Sequence, residues 1–159
     1  MKALVKKEPM KGIWMEEVPT SYIKRIKATP EVDKKLLRIE AECVCANGME
    51  IKAEAFFNNA SVGVANASVY GRTAIIELPL SELHLWEIGA GRLYDLELDF
   101  EGDTVKSYFG MRKFATMMVG GKQVLSLNNR PIFMTGVLDQ GYWSDGIYTP
   151  ADPVCYEND

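Results

Sequence analysis

The chain has 159 residues, with 18 basic and 22 acidic side chains and a net charge of −4. That length holds one domain with its own core, or one domain and part of a second. The acidic balance, with no basic run longer than a pair, excludes a general nucleic-acid partner, and no apolar run approaches the ~20 residues of a membrane helix.

Residues 1–9 lack the apolar stretch and small-residue cleavage site of a signal peptide, which favours a cytoplasmic setting. Residues 22–28 read as the first strand. Leu37, Ile39, Ala41, Cys43 and Cys45 then fall on one face of a second, with Arg38, Glu40 and Glu42 opposite. Asn47-Gly48 follows, the pair most often found in hairpin turns because both residues tolerate positive φ. The next strand places Ile51, Ala53, Ala55 and Phe57 against Glu50, Lys52 and Glu54 and stops at Asn58-Asn59. Residues 62–70 are a weaker strand, and 73–78 a stronger one closed by Pro79. Tyr94, Leu96, Leu98 and Phe100 alternate with Asp95, Glu97 and Asp99. Glu101-Gly102-Asp103 turns the chain, and 104–114 returns as a further strand. Roughly seven strands at ~8–12-residue spacing, with no helical period before Gly120, predict an all-β fold: an antiparallel β-sandwich of immunoglobulin type.

After Ala115 the pattern changes. Gly120-Gly121-Lys122 is a turn, and strands at 124–127 and 132–137 flank Asn128-Asn129-Arg130-Pro131, which reads as a hairpin loop. A dense polar and aromatic set follows: Asp139, Gln140, Tyr142 and Trp143. The tail approaches a helix, capped by Thr149 or Asp152 with Pro153 in its first turn.

Several side chains invite a functional reading and a plainer one. Cys43 and Cys45 share a strand face, but with no histidine or third cysteine near them they read as core residues rather than a metal or redox pair. Cys155 stands alone. His84, the single histidine, sits beside Leu83, Leu85 and Trp86 and reads as structural. Trp14 and Trp86 could stack on sugars. The plainer reading has Trp86 plugging the bottom of the sandwich and Trp14 in a seam with a preceding domain. Asp95, Glu97 and Asp99 could hold calcium, but their alternation with core residues makes them a solvated strand face. No metal site and no cofactor is predicted.

Five stretches resemble glycoside hydrolase family 2, the β-galactosidase and β-glucuronidase type, in the order that family uses them. They are Gly12-Ile13-Trp14 with Glu17-Val18-Pro19 and Tyr22-Ile23; Leu85-Trp86 with Leu93-Tyr94-Asp95-Leu96; Ser107-Tyr108-Phe109-Gly110-Met111-Arg112-Lys113; Leu127-Asn128-Asn129-Arg130-Pro131 with Gly136-Val137; and Asp139-Gln140-Gly141-Tyr142-Trp143. Asn129 replaces the usual glycine of the hairpin, and residues 87–92 replace a polar, proline-containing link.

The resemblance implies three parts. Residues 1–20 are the end of a sugar-binding-like domain or a linker. Residues 21–115 are the immunoglobulin-like sandwich. Residues 116–159 are a hairpin and the truncated start of a (β/α)8 barrel. Family members hydrolyse β-glycosides with retention through two glutamates about 5 Å apart, which the resemblance places on later barrel strands. Here the sequence nearest the expected Asn-Glu pair is Glu157-Asn158, in reversed order, so no catalytic residue is assigned and the chain alone is expected to be inactive. If residues 134–138 are the first barrel strand, Asp139, Gln140, Tyr142 and Trp143 follow its C-terminal end, where barrel active sites lie. In the intact enzyme they would line the sugar pocket; the alternative is that they cap a turn and pack the barrel end. Arg112 is expected to pair with an acid across the domain junction. The implied partners are the remaining domains of the parent glycosidase and, in the intact enzyme, its carbohydrate substrate. The apolar tail is expected either to be disordered after about Leu138 or to drive self-association. An independent carbohydrate-binding module, or a short protein whose tail packs on its own sandwich, are the competing readings.

Overall fold

The computed structural model describes residues 2–8, 12–44, 47–136, 138, 141–143, 146, 148–150 and 152–158, with the side chains of 2–16 and 157–158 left out of the description. Two strands open the chain, β1 (Lys2–Glu8) and β2 (Gly12–Val18), paired antiparallel from Lys2↔Val18 to Glu8↔Gly12. The sequence reading had no strands here.

The sandwich follows. β3 (Tyr22–Glu31) leads through a single 3₁₀ turn (Val32–Lys34) into β4 (Leu36–Val44). Next come β5 (Glu50–Phe57), β6 (Ala60–Ser68), β7 (Thr73–Pro79), β8 (Tyr94–Phe100) and β9 (Asp103–Phe109). One sheet has the order β3-β4-β7 and the other β6-β5-β8-β9, all antiparallel. The period-two pattern explains the packing, since successive side chains on a strand point to opposite faces. Leu37, Ile39, Ala41 and Cys43 of β4 and Ala74, Ile76 and Leu78 of β7 point inward. They meet Ile51, Ala53 and Ala55 of β5 and Tyr94, Leu96, Leu98 and Phe100 of β8, all fully or almost fully buried. Ala53 and Ala55 pair with Leu98 and Leu96 on the neighbouring strand, so small residues sit beside large ones on the inner face of that sheet.

Two-residue turns set the hairpins. Asn58-Asn59 and Glu101-Gly102 both have positive φ at each position. That is the turn whose twist matches the flanking strands. Asn47-Gly48 is different and corrects the sequence reading: it does not close a hairpin. β4 and β5 lie in opposite sheets, so the chain crosses from one layer to the other at this bend. Gly48 still supplies the bend, with φ +82°, while its N–H donates to Val69 O at 2.8 Å and Asn47 Oδ1 accepts from Gly71 N–H at 2.8 Å.

Between β7 and β8 the chain crosses the end of the sandwich. Tyr94 is fully buried, and its hydroxyl accepts from the His84 backbone N–H (2.6 Å) and donates to Glu82 O (3.2 Å). A tyrosine at the start of this strand, bonded back to the preceding corner, is a hallmark of immunoglobulin-type sandwiches.

The expected strand 104–114 is two pieces. β9 ends at Phe109, and Gly110 passes under Trp86, where a Cβ would meet the Trp86 side chain at 3.3 Å. Met111 bridges to Leu85. β10 (Phe114–Val119) then pairs with β11 (Lys122–Leu127) through Gly120-Gly121, and β11 with the short β12 (Arg130–Pro131) through Asn128-Asn129. The hairpin loop is thus two residues rather than four. Asn129 takes the left-handed conformation (φ +63°) where a glycine was expected. The expected strand at 132–137 is not formed among the described residues. Ile132 N–H reaches Leu125 O at 2.9 Å, but 133–136 find no ladder partner, and Phe133 is 89% exposed. The tail ends in α1 (Cys155–Asn158), where Asp152 rather than Thr149 acts as the cap, its Oδ1 accepting from Val154 N–H at 2.9 Å.

Candidate functional site

The most constructed region is the seam where the sandwich hands over to the β10–β12 hairpin. Asn128 sits at its centre. Its N–H donates to Lys113 O (2.8 Å), its Oδ1 accepts from Lys113 N–H (3.0 Å), and its Nδ2 donates to Trp86 O (2.9 Å). Lys113 Nζ bonds both Asp33 Oδ2, in the 3₁₀ turn of the sandwich, and Asn129 Oδ1 (3.0 Å). Asn129 Nδ2 closes the ring on Asp33 Oδ1 (3.0 Å). Lys113, followed by Asn129, holds the Asp33 carboxyl below its ordinary range. The clamp joins residues far apart in the chain and fixes the hairpin to the sandwich.

Beyond the clamp, β10 and β11 carry apolar side chains on both faces, beside a Thr116–Gln123 hydrogen bond (3.0 Å) on the first and Ser126 and Lys122 on the second. Phe114, Met118 and Leu125 lie on one face and are about half exposed or more. Ala115, Met117 and Val124 lie on the other and are half-buried. Apolar side chains on both faces of a hairpin are not the pattern of a solvated ribbon. Beside the hairpin runs a groove of about 520 Å³, lined among others by Trp86, Leu93, Tyr108, Arg112 and Phe114. The Arg112 guanidinium lies 4.8 Å from the centre of the Trp86 ring and 5.7 Å from that of Phe114.

Of the residues expected to line a sugar pocket, Asp139 and Gln140 lie outside the described residues. Tyr142 is 65% exposed, its ring 5.3 Å from that of Tyr148. Trp143 is half-buried and meets Tyr156 edge-on at 5.8 Å. Its indole N–H is buried with no acceptor among the described residues. The structure therefore brings Tyr142 and Trp143 to aromatic partners in the tail.

The other candidates fall to structural roles. Cys43 is buried in the core, and burial, followed by Asp103 and Glu42, pushes its thiol up to about 11, far from a reactive thiolate. Cys45 lies outside the described residues, and Cys155 is half-buried. His84 stacks on Phe57 at 3.9 Å and bonds Glu82 at 2.9 Å. Trp86 lines the seam rather than the sealed bottom of the sandwich, and only the backbone of Trp14 is described, in β2. Among the described residues no group of three or more His, Cys, Asp or Glu side chains is placed to hold a metal. Glu97 pairs with Lys106 (2.9 Å), and Asp99 accepts from the Thr104 hydroxyl. Glu54 and Glu97 do face each other across β5 and β8. They lie on an open sheet face, and Lys52, then Ser61, lowers the Glu54 pKa. A retaining glycosidase needs one carboxyl of its pair protonated, and the lowering of Glu54 works against that. Sequence reasoning missed Asp33 and Asn128. Asn128 was visible only as a turn residue, and nothing local to Asp33 points to a partner 80 positions away.

The profile of the glycosyl hydrolases family 2 matches residues 21–112, more than half of the chain and most of the sandwich. The chain belongs to that family. Among solved structures, the family 2 chain is similar to Bifidobacterium dentium β-glucuronidase complexed with coumarin-3-O-glucuronide. The TM-score is 0.70 and the identity 17%, over 87% of this chain and 24% of that one. Ruminococcus gnavus β-glucuronidase gives a TM-score of 0.63 at 17% identity, over 86% and 22%. At such identities the likeness is one of fold, and the chain spans about a quarter of these enzymes' length. A curated L-threonine 3-dehydrogenase of Stenotrophomonas maltophilia is 41% identical over 51 residues. That match takes in 32% of this chain and 13% of that protein, too little to assign kinship.

Proposed function

We propose that residues 21–115 are the non-catalytic immunoglobulin-like spacer of a family 2 retaining β-glycosidase. Residues 1–20 would come from a preceding sugar-binding-like domain or linker, and 116–159 form the hairpin and first unit of the catalytic barrel. The observation that carries this reading is the hairpin: it has apolar side chains on both faces, yet is locked to the sandwich through Asp33, Lys113, Asn128 and Asn129. A ribbon tied to the sandwich with Phe114, Met118 and Leu125 about half exposed or more on one face is built to be covered by another domain, at about 25 cal/mol per Å² of apolar surface removed from water. The partners are then the other domains of the parent enzyme. Asp139, Gln140, Tyr142 and Trp143 line the rim of its sugar pocket, where the Asp139 carboxylate and the Gln140 amide bind hydroxyls and the aromatics stack on a ring face. The β-glucuronidase neighbours suggest a β-glucuronide as the parent's substrate.

Two measurements test the reading. The purified chain should hydrolyse neither an aryl β-glucuronide nor an aryl β-galactoside above a buffer blank; turnover would refute the non-catalytic assignment. Sequencing the gene beyond Asp159 should show an open frame that continues to an Asn-Glu motif. A second reading, an independent carbohydrate-binding sandwich, draws on the exposed Tyr108 (69%) and Phe114 (52%) beside the groove. Calorimetry of the chain against a sugar panel separates the two, since the spacer gives no heat.

A further inference from the structure

The groove at the seam contains an arginine held between two aromatic rings. Lys24, Arg25, Lys27, Lys34, Arg38, Lys52, Arg92, Lys106, Lys113 and Arg130 each have a carboxylate within ion-pairing distance. Arg112, like Lys35, Arg72 and Lys122, has none among the described residues. Its guanidinium is not loose, however. Its Cζ lies 4.8 Å from the centre of the Trp86 ring and 5.7 Å from that of Phe114, so the two rings hold the cation in place while no carboxylate among the described residues takes its N–H donors. A guanidinium held in this way can receive a carboxylate through two parallel hydrogen bonds. The walls around it are Leu93, Tyr108 and Phe114, each about half exposed or more. An arginine among aromatic side chains is the composition of an interface centre. Phe114 also opens the apolar face of β10, so groove and hairpin form one continuous surface.

We propose that this groove is the docking site for an aspartate or glutamate flanked by apolar side chains on the adjoining domain of the parent enzyme, with Arg112 as its carboxylate receptor. The proposal rests on the spacer reading and adds the chemistry of the partner. The occupant is protein rather than free ligand because the charged groove and the uncovered hairpin face share Phe114, and one macromolecular surface covers both.

The test compares amide hydrogen exchange in the 159-residue chain and in the enzyme encoded by the whole gene. Amides of residues 108–114 should exchange at least about tenfold more slowly in the enzyme, the protection expected of a covered surface. Arg112→Gln should return them to the rate seen in the short chain, and Arg112→Lys should restore part of the protection, because a truncated interface charge pair releases its surroundings. In the short chain Arg112→Gln should lower Tm by no more than about 3 °C, the loss of an exposed cation–π contact, which shows that the variant folds. Lys122→Gln, on the exposed turn, should change neither rate. Equal protection in chain and enzyme overturns the docking site, as does an Arg112→Gln enzyme that keeps its protection. A monosaccharide that protects 108–114 in the short chain overturns it in favour of a sugar site. An enzyme that hydrolyses β-glycosides yet leaves the groove unprotected removes this proposal alone. A reading frame that stops at Asp159 removes the spacer reading with it.

Discussion

Replacing Tyr94 by Phe removes one oxygen from the corner of the sandwich and nothing else. The ring is fully buried and stacks on Phe109 with centroids 4.9 Å apart, so packing is retained. What disappears is the group that accepts from His84 N–H and donates to Glu82 O. Each net hydrogen bond is worth about 1 kcal/mol, and a partly buried donor left without a partner adds to that. The expected loss is about 2–3 kcal/mol, or a Tm lower by about 5–10 °C for a chain of this size. Urea unfolding followed by circular dichroism measures it, with an unchanged m-value showing that the surface exposed on unfolding is the same. The exposed Tyr108→Phe is the control and should be neutral. A loss below about 0.5 kcal/mol in Tyr94→Phe would refute the corner as a stabilising device. The substitution has a pH signature too. Burial raises the Tyr94 pKa above 10.0. The unfolded chain therefore releases its proton first, and stability present below pH 10 falls as pH rises through that region. Tyr94→Phe should lack this component.

Cys43 acts in the same direction at lower pH. With its thiol raised from 9.0 to about 11, the protein should lose about 3 kcal/mol between pH 9 and 11, and Cys43→Ala should flatten that part of an alkaline denaturation series. Gly63→Ala would bring a Cβ to 2.4 Å from Pro79 O, and thermal unfolding should show about 1–3 kcal/mol of destabilisation; an unchanged Tm would mean that β6 and β7 separate freely. Glu101 holds a left-handed conformation, φ +52°. Glu101→Asn should stabilise by up to about 1 kcal/mol in chemical denaturation, and a destabilised variant would contradict the turn assignment. Asp33→Ala should speed amide exchange in β10–β12 while leaving β4 and β8 unchanged. Because the Asp33 pKa is lowered from 3.8, the clamp should be intact above that pH in the wild type and loosen as pH falls below it.

The sandwich strands were legible because burial on a sheet writes itself into alternate positions: Leu37 to Cys43 and Tyr94 to Phe100 needed no knowledge of their neighbours. The turns at Asn58-Asn59 and Glu101-Gly102 were legible for the same local reason, the φ each residue tolerates. The family was legible because short motifs such as Phe109-Gly110-Met111-Arg112 sit at joints where few residues fit. Only the tertiary structure decided which strands share a sheet. Asn47-Gly48 has hairpin chemistry, yet β4 and β5 part into opposite sheets, because strand partners are chosen by the whole core and a two-residue turn specifies only a bend. It also decided that the strand breaks at Gly110 beneath Trp86, and that the described residues 132–136 make no strand where no ladder partner is supplied. The clamp of Asp33, Lys113, Asn128 and Asn129 left no trace in the sequence, since a contact between distant residues has no period. The short stretch at 139–143 reads as a sugar-pocket rim by its wording, but a pocket is a meeting of segments, and its geometry belongs to the barrel that would complete it.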